Sequence, residues 1–179
     1  MRTHLKSLPN ALTLARLGLF PFLIFLWPKE PLWAAGVFVA GAATDWLDGA
    51  LARLLQAKSA FGAFLDPLAD KILVASALLL LLGEGSLPAW VCAVVIGREL
   101  GIQAMREQAA GSGKLSVLAV NFIAKAKTFM QMLGLGGMLF ARAGLDQIGA
   151  AAEVAFYLGV ILGVLSLGQY ARKLAASLA

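Results

Sequence analysis

Long apolar runs separated by short polar breaks dominate the chain. The runs cover residues 9–27, 32–55, 61–82, 89–105, 115–140 and 148–170. Each is close to the roughly 20 residues an α-helix needs to cross the hydrocarbon core of a bilayer. The breaks carry turn chemistry: two prolines at 28 and 31, GEGSLP at 83–88, and the polar EQAAGSGK at 107–114, read as a flexible loop. The pattern predicts an all-α, polytopic membrane protein with six transmembrane helices, in one domain over residues 1–179. Residues 1–8, MRTHLKSL, are basic and partly amphipathic, which suits a short segment lying at the membrane surface. No small-residue cleavage site follows, so residues 8–27 are expected to be retained as a span.

The positions that break the apolar pattern carry the chemistry. Residues 45–70 read DWLDGALARLLQAKSAFGAFLDPLAD. Asp45 and Asp48 are three apart near the end of the second predicted helix, and Asp66 and Asp70 are four apart near the start of the third. Each pair therefore shares a helix face. A short polar turn at 56–59 allows the two helices to fold back and bring the pairs together. Ionisable groups in apolar segments are costly and mark function by default. Four carboxylates of one sign need a positive partner, and hard oxygen donors suit magnesium, manganese or calcium. Gly49, Ala52 and Gly62 keep side-chain bulk away from the carboxylates, and Arg53 offers a fork of donors suited to phosphate. Pro67, directly after Asp66, is expected to loosen the third helix there. Lys71 is either an exposed charge or a partner for the carboxylates.

Composition agrees with a membrane setting: 60% of the 179 residues are hydrophobic and 14% charged, against about a quarter charged in soluble chains. The single cysteine, Cys92, excludes an internal disulfide and is read as a packing residue. The formal net charge is +5. No dense basic run interleaved with aromatics accompanies it, so nucleic acid is not expected as a partner. Six spans place both termini on one side. That side collects Arg2, Lys6, Arg53, Lys58, Arg106, Lys114, Arg172 and Lys173, whereas the opposite turns hold Lys29 and Arg142. The positive-inside rule puts the first set, and the aspartates with it, at the cytoplasmic face of the cell membrane. His4, the sole histidine, is read as interfacial and not as a base.

A second charged set lies deeper. Arg98, Lys125 and Lys127 fall within apolar spans, with Arg106 and Lys114 nearby. Buried cations need an anion. Pairing of Arg98 with Glu99 or Glu107 would supply one; a phosphate on a substrate would supply another.

The aspartate stretch matches Asp-x-x-Asp-Gly-x-x-Ala-Arg, eight residues, then Gly-x-x-x-Asp-x-x-x-Asp, at every fixed position: Asp45, Asp48, Gly49, Ala52, Arg53, Gly62, Asp66 and Asp70. In this it resembles the CDP-alcohol phosphatidyltransferases. Pro9, Asn10, Thr13 and Arg16 resemble the family's N-terminal motif, although helix capping by Asn10 and snorkelling of Arg16 explain the same residues. Arg98-Glu99, Arg106-Glu107, Ser116-Val117 and Lys125-x-Lys127-Thr128 with Gln131-Met132 look like the bacterial phosphatidylglycerophosphate synthase branch. Ala124 departs from the glycine usual before the Lys-x-Lys-Thr, and is expected to narrow the acceptor pocket.

The resemblance implies that Asp45, Asp48, Asp66 and Asp70 hold one or two magnesium or manganese ions against the diphosphate of CDP-diacylglycerol, with Asp70 also the general base. It implies that Asn10, Thr13, Gly49, Arg53, Ser59 and Gly62 line that donor substrate. It implies that Arg98, Arg106, Lys114, Lys125 and Lys127 bind the phosphate of glycerol 3-phosphate, and that the enzyme is a homodimer among membrane lipids. The same chemistry with inositol phosphate, phosphatidylglycerol or serine is the nearest alternative. In a different class stands a divalent-cation transporter, although transporters place their sites near the midplane and not at one membrane edge. An intramembrane prenyltransferase with paired aspartate motifs would not need the Gly-x-x-Ala-Arg between them.

Overall fold

A computed structural model describes residues 17–55, 60–114, 118 and 122–178; at 45–55, 60–64, 66 and 178 it describes the backbone alone. The described residues form six α-helices and no strand. These are α1 Leu17–Leu26, α2 Pro31–Leu55, α3 Ala60–Gly83, α4 Ala89–Gly111, α5 Phe122–Arg142 and α6 Gly149–Leu178, with a 3-10 turn at Asp146–Ile148 before α6. α3 continues as helix through Pro67.

Three boundaries differ from the sequence reading. The stretch at 107–114 is not a loop for most of its length, because α4 runs on to Gly111. Alanine, glutamine and glutamate at 107–110 are good helix formers, and the stop comes only at Gly113, whose φ is 67°. There Gly113 N–H donates to Ala110 O and Lys114 N–H to Ala109 O, the paired closure that satisfies orphan carbonyls at a helix end. The predicted helix from 115 is not continuous: Leu118 stands in a 3-10 turn, and α5 is described from Phe122. α6 extends eight residues beyond the predicted 170, to Leu178.

Among the described residues, one helical stretch, Asp146–Ser177, is long and apolar enough by itself to cross a membrane; Leu17–Leu26 and Pro31–Thr44 are apolar but shorter. Ionisable residues interrupt α3, α4 and α5. Large apolar side chains face outward across the bundle, including Trp33, Trp90, Phe129 and Ile161.

Along the bundle two apolar clusters are separated by a polar layer. The larger cluster takes Leu23 of α1, Phe38 of α2, Leu73 to Leu81 of α3, Val91 to Val95 of α4, Leu135 and Leu139 of α5, and Phe156 of α6. Cys92 is buried in it, as a packing role requires. The smaller joins Ile102 and Ala109 of α4, Leu118, and Tyr170 and Leu174 of α6. Between them lie the buried polar residues Arg98, Lys127, Gln131 and Ser166. α5 and α6 make the closest approach, over small residues: a Cβ on Gly159 would sit 2.7 Å from the Gln131 backbone nitrogen, and one on Gly137 2.6 Å from Ala152 Cβ. Such approaches are how helices pack where lipid removes the hydrophobic drive.

Candidate functional site

The polar layer opens into a pocket of about 360 Å³ between α3, α4, α5 and α6. Its charged walls are Asp70 and Lys71 from α3, Arg98, Glu99 and Arg106 from α4, and Lys127 from α5; Gln103, Ala124, Thr128, Gln131 and Tyr170 complete the polar and narrow parts of the lining. Ala124 stands in this lining.

Helix periodicity explains which residues meet. On α4, Glu99, Gln103 and Glu107 follow at four-residue steps, so they form one polar stripe. Gln103 accepts from Lys71 Nζ at 3.1 Å and donates to Glu107 at 3.2 Å, which ties α3 to α4. Lys71 also donates to Pro67 O at 3.3 Å. Lys71 is therefore tied to α4 through Gln103 and is not a freely solvated charge.

Arg98 is held on three sides. Nη1 donates to Glu99 Oε1 at 2.9 Å, Nε to Gly163 O at 3.2 Å, and Nη2 to Ser166 Oγ at 2.6 Å. Ser166 Oγ in turn donates to Gly163 O at 2.8 Å. Lys127 Nζ donates to the same Glu99 Oε1. Gly163 leaves room for this arrangement: a Cβ there would touch Lys127 Cγ at 3.4 Å and Arg98 Nε at 3.7 Å. The side chains of Arg98 and Lys127 are 9% and 7% exposed, and that of Glu99 is 24% exposed. The anion that these buried cations require therefore exists within the chain. The sequence offers Glu99 or Glu107 as the partner of Arg98, and the structure pairs it with Glu99; the four-residue polar stripe on α4 is the signal that points to this face.

The predicted acceptor set divides. Arg98, Arg106 and Lys127 line the pocket together with Asp70. Lys125 is exposed and outside that lining. Lys114 is also outside it and donates to Ser177 O, fastening the end of α4 to the end of α6. Of the aspartate motif, the backbone places Asp45, Asp48, Gly49 and Arg53 in α2 and Gly62, Asp66 and Asp70 in α3, as the pattern predicted. Asp70 is the one of the four aspartates whose side chain is described. Asn10, Thr13 and Ser59 lie outside the described residues. Among the described residues no three His, Cys, Asp or Glu side chains are grouped to hold a metal ion. The donors the motif offers, carboxylates spaced one helical turn apart on α2 and again on α3, are the hard oxygen type that fits a divalent cation such as magnesium.

Comparison with known proteins agrees with this arrangement. The family model for CDP-alcohol phosphatidyltransferase matches residues 6–165. The CDP-diacylglycerol–glycerol-3-phosphate 3-phosphatidyltransferase of Pectobacterium atrosepticum is 41% identical over 174 residues, covering 92% of each chain. An Arabidopsis thaliana chloroplastic/mitochondrial protein of the same name is 40% identical over 94% of this chain, which spans 62% of that protein's length. A cardiolipin synthase (CMP-forming) of Oryza sativa subsp. japonica is 39% identical over 95% of this chain, which spans 58% of its length. With the family model matched over residues 6–165 and relatives of about 40% identity over most of its length, this chain belongs to the CDP-alcohol phosphatidyltransferase family.

Proposed function

We propose that the protein transfers the phosphatidyl group of CDP-diacylglycerol to glycerol 3-phosphate, giving phosphatidylglycerol phosphate and CMP. The observation that carries the acceptor is the pocket beside Asp70. Its described charged lining holds four cations, Lys71, Arg98, Arg106 and Lys127, against two carboxylates, Asp70 and Glu99. The excess of two positive charges matches a phosphate monoester dianion better than it matches serine, which carries no net charge, or phosphatidylglycerol, which carries one negative charge.

In this reading the acceptor phosphate sits against Arg98, Arg106 and Lys127, which directs its sn-1 hydroxyl toward Asp70. Asp70 accepts the hydroxyl proton as the oxygen forms its bond to the β-phosphorus. The bond from that phosphorus to the bridging oxygen breaks, and its electron pair leaves with CMP. Holding both reactants in line contributes as much as basicity does, because a carboxylate is a weak base. Asp45, Asp48, Asp66 and Asp70 would hold magnesium or manganese; when bound, the metal supplies neutralisation of the diphosphate's charge. Asn10, Thr13, Gly49, Arg53, Ser59 and Gly62 are assigned to the nucleotide and its phosphates by the family motif. Lys114 and Lys125, outside the described lining, are assigned to attracting the anionic acceptor toward the pocket mouth.

All six helices are taken to cross the cell membrane as one domain over residues 1–179, with the aspartates and both termini on the cytoplasmic side. The outward-facing apolar side chains support this setting. A homodimer is the expected assembly. The test is CMP release by the purified protein from CDP-diacylglycerol with magnesium, comparing glycerol 3-phosphate, inositol phosphate, phosphatidylglycerol and serine. Release with glycerol 3-phosphate alone is expected. The rice relative makes phosphatidylglycerol the second acceptor to examine, and release with it alone would overturn the assignment of the basic residues.

A further inference from the structure

Glu99 poses a chemical problem for any pocket that binds phosphate. Its Oε1 accepts from both Arg98 Nη1, at 2.9 Å, and Lys127 Nζ. Those are two of the three cations assigned above to the acceptor. Arg98 also donates to Gly163 O and Ser166 Oγ on α6, so its position is fixed with or without the carboxylate. Glu99 is thus not needed to hold Arg98 in place. What its charge does is occupy donors and repel a second anion on the same wall.

We propose that Glu99 is a built-in competitor for the phosphate site, which weakens anion binding so that phosphate monoesters enter and leave instead of being trapped. This rests on the reading of the pocket as the acceptor site. Two groups must pass through such a site in each turnover: glycerol 3-phosphate arrives with a phosphate monoester, and the phosphorylated lipid product departs still carrying it. A wall of four cations without internal carboxylates would hold both tightly. A carboxylate sharing Arg98 and Lys127 lowers the affinity for either one, and for free inorganic phosphate as well. Glu99 is an affinity-setting residue in this account, not a catalytic one.

The test is Glu99→Gln, which keeps an oxygen acceptor for Arg98 and Lys127 and removes the charge. The first readout needs no turnover: the concentration of inorganic phosphate that half-saturates protection against heat unfolding. The second is the KM for glycerol 3-phosphate and the inhibition constant of inorganic phosphate against it. The charge removed lies in a poorly screened site, so all three are expected to fall at least about tenfold. The turnover number is expected to fall as well, as product release slows. A residue serving only to hold the fold would lower the unfolding temperature and leave the half-saturating phosphate concentration unchanged; that result, or weaker phosphate binding, overturns the inference. If E99Q does not fold, K127M is compared with E99Q/K127M. The double variant is expected to bind phosphate more tightly than K127M, because Arg98 is released, and equal or weaker binding overturns the inference. Wild-type protein that is protected by phosphate but releases no CMP with glycerol 3-phosphate would sink the proposed function instead, since that result involves no variant.

Discussion

Glu84 and Glu99 each hold two other side chains, and their surroundings make the two unlike. Glu84 follows α3 at one end of the bundle. Its Oε1 accepts from Trp27 Nε1 at 3.0 Å, its carbonyl accepts from Arg142 Nη2 at 2.9 Å, and its Oε2 stands 3.8 Å from the same nitrogen. Both charged side chains are well exposed there, at 43% for Glu84 and 47% for Arg142. Glu99 sits in the layer between the two apolar clusters, against cations that are almost fully buried. An exposed carboxylate that loses its partner is re-solvated at little cost, whereas a buried cation that loses its partner is not. The outer end is therefore a clasp joining α1, α3 and α5. The inner layer keeps its charges buried, which on the proposed function serves the phosphate of the acceptor.

The largest effects should separate stability from turnover within the inner layer. Asp70→Asn is expected to reduce CMP release by about a thousandfold, in the range of a lost general base or ligand, while the unfolding temperature stays near the wild-type value. A folded Asp70→Asn variant with near-normal rate would remove Asp70 from the chemistry. Arg98→Met is expected to do both kinds of damage. It strips Glu99 of one partner and leaves Ser166 Oγ and Gly163 O without the Arg98 donors, at a cost of about 3–5 kcal/mol. Thermal unfolding in detergent measures this, and a change below about 1 kcal/mol would place Arg98 with the exposed charges, against its 9% exposure.

How much of this was legible in the sequence depends on the kind of signal. The apolar runs gave the helices, and the resemblance of the whole pattern at Asp45, Asp48, Gly49, Ala52, Arg53, Gly62, Asp66 and Asp70 to a known motif gave the family. The basic set was legible as a set but not as an arrangement. Arg98, Arg106 and Lys127 meet around one pocket while Lys114 and Lys125 do not, and that depends on the rotation of α4 and α5 about their axes, which no local pattern encodes. Lys125 and Lys127 lie on opposite sides of the question although only one residue separates them, since two positions on a helix differ by about 200°. The end of α4 was misread for a local reason: polar residues at 107–110 suggested a loop, and the closure at Gly113 was the better marker.

A smaller effect tests the packing that keeps the inner layer closed. Gly159 lies where α6 crosses α5, and a Cβ there would come within 2.7 Å of the Gln131 nitrogen and 3.1 Å of its Cβ. Gly159→Ala is expected to cost about 1–3 kcal/mol by overpacking, and to raise the KM for glycerol 3-phosphate as well, because Gln131 is part of the pocket wall. Gly97→Ala on α4 is the control, with open space around its added methyl. Equal stability of the two variants would show that the α5–α6 contact is less tight than the distances imply.

The smallest effect belongs to the outer clasp, and its smallness is what the comparison requires. Glu84→Gln keeps an acceptor for Trp27 and leaves the Glu84 carbonyl free to accept from Arg142 as before. Only the long charge contact at 3.8 Å is lost, and exposed pairs of this kind contribute about 0–1 kcal/mol. The expected result is an unfolding temperature and a phosphate affinity both close to wild type, with any difference in stability reduced further by added salt. Arg142→Met should cost somewhat more, since it also removes the hydrogen bond to the Glu84 carbonyl. If Glu84→Gln instead changed the affinity for glycerol 3-phosphate as much as Glu99→Gln, charge at the far end of the bundle would be reaching the pocket through the larger apolar cluster. The contrast between a structural clasp and a working layer would then have to be given up.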